Sequence, residues 1–483
     1  MLKLGRCVHL LARCTNQTSS FARTLASGGT DITKPFRQIR DGLSWTIPKD
    51  LQNSDRPPGE VDVLIIGGGA MGSSIAYFLK AARKAGVSVA VVERDSGYSM
   101  SSTVLSVGSI RQQFSTPENI YMSMYSAQFI KNVQEHLQVE GSDPPDLQFN
   151  DQGYLFLATK DKEHILHENH IIQKNCGAKV ELMTQNQLKK RFPWMNTDNV
   201  TLGSYGLENE GWLDPWSLLK SFKEKAIDLG AKYYNAEVTG FNVVDDDAKP
   251  IDPTQFAPNG RRLNSVMVSM INSPEVVEVK SSYVVLTAGA WSGQLGKLLG
   301  IGTGPKEENL HMPIPVEPRK RYVYFFHCPE GPGLECPLLI DPSGSYVRRE
   351  GFGGNYLCGK SPNECDEPSC EDLNVNYDFF DTEIWPNLAH RIPVMEKLKV
   401  KSAWAGYYDY NCLDQNAIIG SHPAYGNFLM ATGFSGHGIQ QSPAVGKLVS
   451  EKILAGEFQT IDVSKFGFER CITETPVLER CVI

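Results

Sequence analysis

Nowhere in this 483-residue chain does an uninterrupted apolar run reach the ~18 residues that a membrane-spanning helix needs. The nearest approach, Val61 to Ala82, is broken by Gly67, Gly68, Gly69 and Gly72. An excess of positive charge is also missing. The formal net charge is −8, which argues against nucleic acid as a partner, because phosphate backbones call for a basic surface. The eleven cysteines are an odd number without a CxxC pair. Cys336, Cys358, Cys365 and Cys370 are too loosely spaced for a zinc site, and scattered thiols suit a reducing compartment. His164, His167 and His170 recur every third residue, but among Lys and Glu they read as a solvated helix face, so no metal is expected. Acidic residues are absent from positions 1–30, where Lys3, Arg6, Arg13 and Arg23 stand among leucines and hydroxyl residues. That composition reads as a mitochondrial transit peptide.

What the chain does have is enough apolar residue, 41%, to fill a core, and an ordinary charged fraction of 21%. Its length suggests two or three structural units. Residues 31–59 form a polar linker ending in "DRPPGE". "VDVLIIGGGAMGSSIAYFLK" then runs from Val61, and "VSVAVVERDS" from Val87. Gly67, Gly69 and Gly72 satisfy G-x-G-x-x-G between a buried strand and a helix. The first glycine permits the turn, the second admits a pyrophosphate, and the third lets helix pack on strand. Amides and dipole at the helix start then face the phosphates. Glu93 ends the next strand 21 residues past Gly72, where a carboxylate can bind a ribose hydroxyl. An acid there disfavours a 2′-phosphate.

NAD and FAD share this fingerprint. An NAD-binding sheet usually completes itself in sequence, whereas this chain leaves on a long excursion and returns at "VVLTAGAWS" and "FLMATGFSGHG". A second glycine-lined helix start near Gly436 to Ile439 would place positive potential beside a flavin's N1 and C2=O. Within the excursion, "GWLDPWSLLKSFKEKAIDLG" reads as a helix with Asp214 at N-cap, Pro215 at N1 and Gly230 at its end. "RYVYFF", "SYVRRE" and "NYLCGK" read as strands of an antiparallel sheet.

"DVLIIGGGAMGSSIAYFL", "VVER", "VVLTAGAWS", "WAGYYDYNCLDQNAIIG" and "MATGFSGHGIQQSPAVG" together resemble the D-amino-acid oxidase family of FAD enzymes, the group with sarcosine oxidase, sarcosine dehydrogenase and glycine oxidase. The resemblance spans Val61 to about Ile461. It implies an α/β chain with a Rossmann-like FAD-binding domain at 60–110, 206–300 and 400–462. An inserted antiparallel-sheet (α+β) substrate or cap domain is expected at 111–205 and 301–399, followed by a C-terminal tail at 463–483. It also implies that Gly67, Gly69, Ala70, Met71 and Gly72 surround the pyrophosphate, Glu93 and Arg94 the adenosine ribose, and Ser101, Ser102 and Thr103 a phosphate. Val238 falls at the adenine, and Gly406, Gly433, Gly436, His437, Gly438 and Ile439 border the flavin. "STVLSVGSIRQQFS", "GWLDPW", "VEPRKRYVY" and "SAWAGYYDYN" carry a narrower resemblance, to a mitochondrial member of the family. That one implies a role in assembling respiratory complex I, with complex I subunits or intermediates as partners and peripheral inner-membrane association.

Three departures from the family stand out. The cysteine that carries flavin in sarcosine oxidases is Gly406 here, and the histidine used by sarcosine dehydrogenases is Leu105. FAD is therefore expected to be non-covalent. The lysine that promotes reaction with oxygen falls near Tyr356 and Leu357, with Lys360 a few residues on, which favours a dehydrogenase. A small amine or amino-acid substrate with a carboxylate calls for an arginine. Arg348 is the first candidate and Arg111 the second, while Arg319 and Arg321 share one strand face opposite Lys320. His437 either biases the flavin or caps a helix. Tyr408 and Tyr410 share a face that either packs or boxes an amine. Three readings remain: an amine or amino-acid dehydrogenase, a catalytically silent FAD-bound assembly factor, and an NAD dehydrogenase.

Overall fold

The computed structural model describes residues 56–245 and 261–480. The transit-peptide expectation and most of the linker lie outside them. Two sheets organise the chain. In the first, the parallel run is Lys232–Asp245, Val89–Glu93, Glu60–Ile66, Val276–Leu286 and Tyr425–Thr432, with Ile418–His422 antiparallel at the edge. The distal halves of Lys232–Asp245 and Val276–Leu286 run on into an antiparallel meander through Arg261–Met270. The central strand Glu60–Ile66 is buried along most of its length, as a strand covered on both faces must be.

The helix Ala70–Ala82 packs against Gly438–Ala455 and Pro215–Asp228. A methyl placed on Gly446 would lie 2.0 Å from Ser74 Oγ, so these two helices cross at a bare backbone. Pro215–Asp228 begins as its sequence requires: the Trp216 amide donates to Asp214 Oδ1 (3.1 Å), and Pro215 sits in the first turn. Gly230 follows its end with φ +98°, the left-handed conformation that terminates helices.

The second sheet has eight strands, ordered Lys399–Asn411, Val316–His327, Asn355–Gly359, Tyr346–Glu350, Leu338–Ile340, Tyr154–Ala158, Leu202–Gly206 and Val180–Thr184. It is antiparallel except where Leu338–Ile340 runs parallel to Tyr154–Ala158. The boundary expected at residue 400 moves. Lys399–Asn411 pairs along its length with Val316–His327, so the cap sheet continues to Asn411 before the chain returns to the first sheet. The C-terminal tail is no loose appendage: Val463, Phe466, Phe468 and Cys471 are buried. Arg470 Nε donates to Asp414 Oδ2 at 2.7 Å. The amide of Ser115 donates to Glu479 Oε1 at 2.7 Å, pinning the far end of the tail. Among the described residues, no helix is long and apolar enough to cross a membrane.

Candidate functional site

A cavity of about 490 Å³ runs from the glycine turn to the second sheet. Its first end is made by the β-α-β unit. Gly67 adopts φ +103°, and a side chain there would meet the Thr287 carbonyl at 2.4 Å. The Thr287 hydroxyl donates to the carbonyls of Ile66 (3.0 Å) and Gly67 (2.8 Å), fastening the turn to the neighbouring strand. The helix beginning at Ala70 has no side-chain cap in the usual sense and no acid in its first turn. Thr103 Oγ1 accepts from the Ala70 amide at 3.2 Å, and Ser101 and Ser102 line the wall beside it. Amides, dipole and hydroxyls thus converge where an anion is favoured.

Glu93 stands next to this turn. Its Oε2 accepts from the Gly68 amide (2.8 Å) and its Oε1 from the Asp95 amide (2.9 Å). Burial raises its pKa, and those two amide bonds oppose the rise. The hydroxyl of buried Tyr98, also on the cavity, has no hydrogen-bond partner. An orphaned hydroxyl beside a carboxylate suits a sugar carrying its own hydroxyls. Arg94 stacks on Trp291 at 4.1 Å, and Val238 continues the same end of the wall.

The other end is built from Gly406–Asp409 and Phe434–Gln440. Gly436 has φ +92°, and a side chain there would strike the Tyr408 ring at 2.8 Å. Asp409 Oδ2 accepts from the Phe434 amide at 3.0 Å. Burial pushes this carboxyl up to about 6, against the pull of amides from Phe434, Gly433 and Ser435. Leu105 and Gly406 touch: a methyl on Gly406 would lie 2.9 Å from Leu105 Cβ. The two positions at which the family resemblance implies a flavin attachment therefore meet at one point of the wall, and neither bears a nucleophile.

His437 sits at the start of Gly438–Ala455, edge-on to Phe114 at 5.1 Å. Burial, then neighbouring Arg111, holds its pKa well below the usual value. The ring is neutral, so Nε2 is free to accept from Arg111 Nη2 at 3.1 Å. Arg111, the second candidate for a substrate carboxylate, lines the same cavity while buried from solvent. Its Nη1 donates to the Gln113 carbonyl and its guanidinium covers Phe114 at 4.1 Å.

Most residues expected at a cofactor do line the cavity: Gly67, Gly69, Ala70, Met71, Glu93, Arg94, Ser101, Ser102, Thr103, Val238, Gly406, Gly436, His437, Gly438 and Ile439. Gly72 and Gly433 are not among the lining residues. Gly72 packs on the Gly67 carbonyl, where a methyl would come within 1.9 Å, and Gly433 packs on Val316 and Asn411. Both shape the turns that others use. Arg348, the first candidate for a substrate carboxylate, is not on the cavity either. Its Nε donates to the Val107 carbonyl (2.9 Å) and its Nη1 pairs with Glu350 (2.6 Å). Arg348 shares a strand face with Tyr346, which does line the cavity, but the Val107 carbonyl and Glu350 hold its guanidinium aside.

Tyr154, Tyr346 and Asp409 line the cavity without having been singled out. Asp409 lies inside the quoted motif "WAGYYDYN", so its strand was visible but its direction was not. Lys360 is paired with Glu383 at 2.8 Å, and among the described residues no lysine lines the cavity.

A strand–glycine turn–helix with a carboxylate tether, joined to a second glycine-lined helix start across one cavity, defines a dinucleotide-binding oxidoreductase. The model of the FAD dependent oxidoreductase family matches residues 62–452, and the chain belongs to that family. Its cofactor is FAD. The FAD-dependent oxidoreductase domain-containing protein 1 of Xenopus laevis is 53% identical, the match covering 97% of this chain and 94% of that one. The protein of the same name from Bos taurus is 48% identical over 100% of this chain and 99% of its own. Among solved structures, L-proline dehydrogenase from P. horikoshii is 27% identical with a TM-score of 0.69, covering 86% of this chain and 98% of that chain.

Proposed function

We propose that the protein is an FAD-dependent dehydrogenase oxidising a C–N bond of a small amine or amino acid, with its FAD held non-covalently. The observation that carries this reading is the continuity of one cavity from the phosphate-binding turn to the Tyr408, Asp409 and His437 wall. When bound, FAD supplies the hydride acceptor. The chain's own residues bind and orient: the Ala70 helix start and the Ser101–Thr103 hydroxyls take the diphosphate, and Glu93 takes the ribose. Neutral His437 is fixed by Arg111, and the amide at Gly438 opens the helix whose dipole favours negative charge at the flavin end. Cavity walls without lysine give oxygen no fixed ammonium to lean on, which supports a dehydrogenase over an oxidase. L-proline dehydrogenase, the solved relative, is named for the same reaction class.

The acid-free basic leader supports a mitochondrial location. The narrower motif resemblance supports work on complex I at the matrix face of the inner membrane. A second reading, an FAD-bound assembly factor without turnover, draws on the commitment of Arg111 to the Gln113 carbonyl and His437 rather than to a ligand. The test is the visible spectrum of purified protein under anaerobic addition of N-methyl, D- and L-amino acids. Bleaching by one of them supports the dehydrogenase, whereas a bound flavin that none of them bleaches supports the second reading. Complex I content in cells carrying only a flavin-free variant then tests the assembly role.

A further inference from the structure

Arg348 is off the cavity, and Arg111, which lines it, is committed to the Gln113 carbonyl and to His437. Arg321 is a second arginine lining the Tyr408 end of the wall. It lies on Val316–His327, opposite Gly406 in register. Its guanidinium sits 5.4 Å from the Tyr408 ring, and Tyr408 in turn presses on Gly436. This row of contacts ties Arg321 to the segment that borders the flavin. Yet its two terminal nitrogens are already held: Nη1 and Nη2 donate to Glu367 Oε2 and Oε1, both at 2.8 Å. That bidentate fork is the geometry in which an arginine recognises a carboxylate ligand. Nε of the same side chain, which is nine-tenths buried, has no partner.

Glu367 belongs to an irregular, largely exposed segment at 361–376 that lies along this strand. Side chains hold it there. Lys320 pairs with Asp372 at 2.8 Å, and the Tyr407 hydroxyl donates to the Cys370 carbonyl at 3.0 Å. Glu367 also has a second cation within reach, since Arg319 Nη1 lies 3.6 Å from its Oε1. Leaving Arg321 would not strand the carboxylate unpaired, so exchange with another carboxylate costs little in electrostatics.

We propose that Arg321 is the anchor for a substrate carboxylate, and that Glu367 is the chain's own occupant of that anchor, displaced onto Arg319 when an amino acid binds. The proposal rests on the amine-oxidation reading and narrows its substrates to those bearing a carboxylate near the nitrogen. Opening the Arg321–Glu367 pair also frees the strap at 361–376 on one side, leaving Lys320–Asp372 to hold the other.

The test titrates the holoprotein anaerobically with L-proline, N-methylglycine and pyrrolidine, reading the flavin difference spectrum. Pyrrolidine is L-proline without its carboxylate. Glu367→Gln is expected to tighten both amino acids by about tenfold, because the competitor has lost its charge, and Arg321→Gln to weaken them by about tenfold or more. Pyrrolidine is expected to respond to neither change. Opposite shifts from the two ends of one ion pair support the anchor. Shifts of the same sign in both variants would mean a merely structural pair and overturn it. Perturbation by pyrrolidine but by neither amino acid overturns the anchor and leaves amine oxidation standing. Silence of all three ligands, in wild type and in Glu367→Gln, sinks both readings together.

Discussion

Glu210 shows at the scale of one side chain how far burial can move chemistry. It is buried, accepts from the Gln112 amide at 2.9 Å, and leaves Oε2 without a partner. Desolvation raises its pKa to about 8, with the Gln112 bond and Arg111 opposing. A carboxyl raised in the folded state binds its proton more tightly folded than unfolded. Its contribution is fully present below pH ~4.5 and lost as pH rises towards 8. Glu210→Gln is therefore expected to flatten the fall in melting temperature between pH 5 and 8 and to leave pH 4 nearly unchanged. Thermal scans of both proteins across that range check it, and equal slopes would refute the assignment. Arg348 gives the complementary case. Cutting it to alanine leaves Glu350 facing a partly buried gap, at a cost of about 3 kcal/mol. The flavin spectrum is expected to stay as it is, because the side chain is not on the cavity. Urea unfolding and the visible spectrum separate the two effects.

The elements were the most legible part of the sequence, and their glycines divide by what surrounds them. A methyl on Gly69 would meet only Thr103 Oγ1 at 3.3 Å and Ser101 Oγ at 3.8 Å, both at the cavity wall. A methyl on Gly72 would meet backbone at 1.9 Å. Gly69→Val is thus expected to fold with near-native circular dichroism but to purify colourless, its side chain standing where phosphate belongs. Gly72→Val is expected to lose several kcal/mol, since backbone cannot yield as a side chain can. Should the Gly69 variant keep full flavin absorbance, the turn has been placed wrongly. This unit was readable because strand, glycine turn, helix and carboxylate all fall within thirty-odd residues of one another. Helix Pro215–Asp228 was readable for the same reason. Arg348 was not: alternation puts it on the face of cavity-lining Tyr346, but does not show that Val107 and Glu350 hold its guanidinium aside. Val107 lies 241 residues from Arg348 in the chain, so their contact has no local signature. The end of the cap sheet at Asn411 was hidden likewise, because Lys399–Asn411 pairs with a strand some eighty residues earlier.

At the scale of the molecule the cofactor is part of the structure's stability. The cavity divides the first sheet from the second, and its walls include Glu93, the Tyr98 hydroxyl and Asp409, polar groups that a dry fold would not choose. Filling it with FAD adds stability by mass action, about 2.7 kcal/mol at a hundredfold excess over the dissociation constant. Melting temperature is therefore expected to climb with added FAD and to keep climbing logarithmically, the behaviour of a ligand in exchange. A covalently held flavin would not respond in this way. Leu105 and Gly406 fill the two attachment positions, and each cysteine on the described part of the chain lies off the cavity. Acid precipitation of the yellow protein is accordingly expected to leave a white pellet and a yellow supernatant. Colour retained in the pellet, with a melting temperature indifferent to added FAD, would place a covalent link where the wall offers carbon alone.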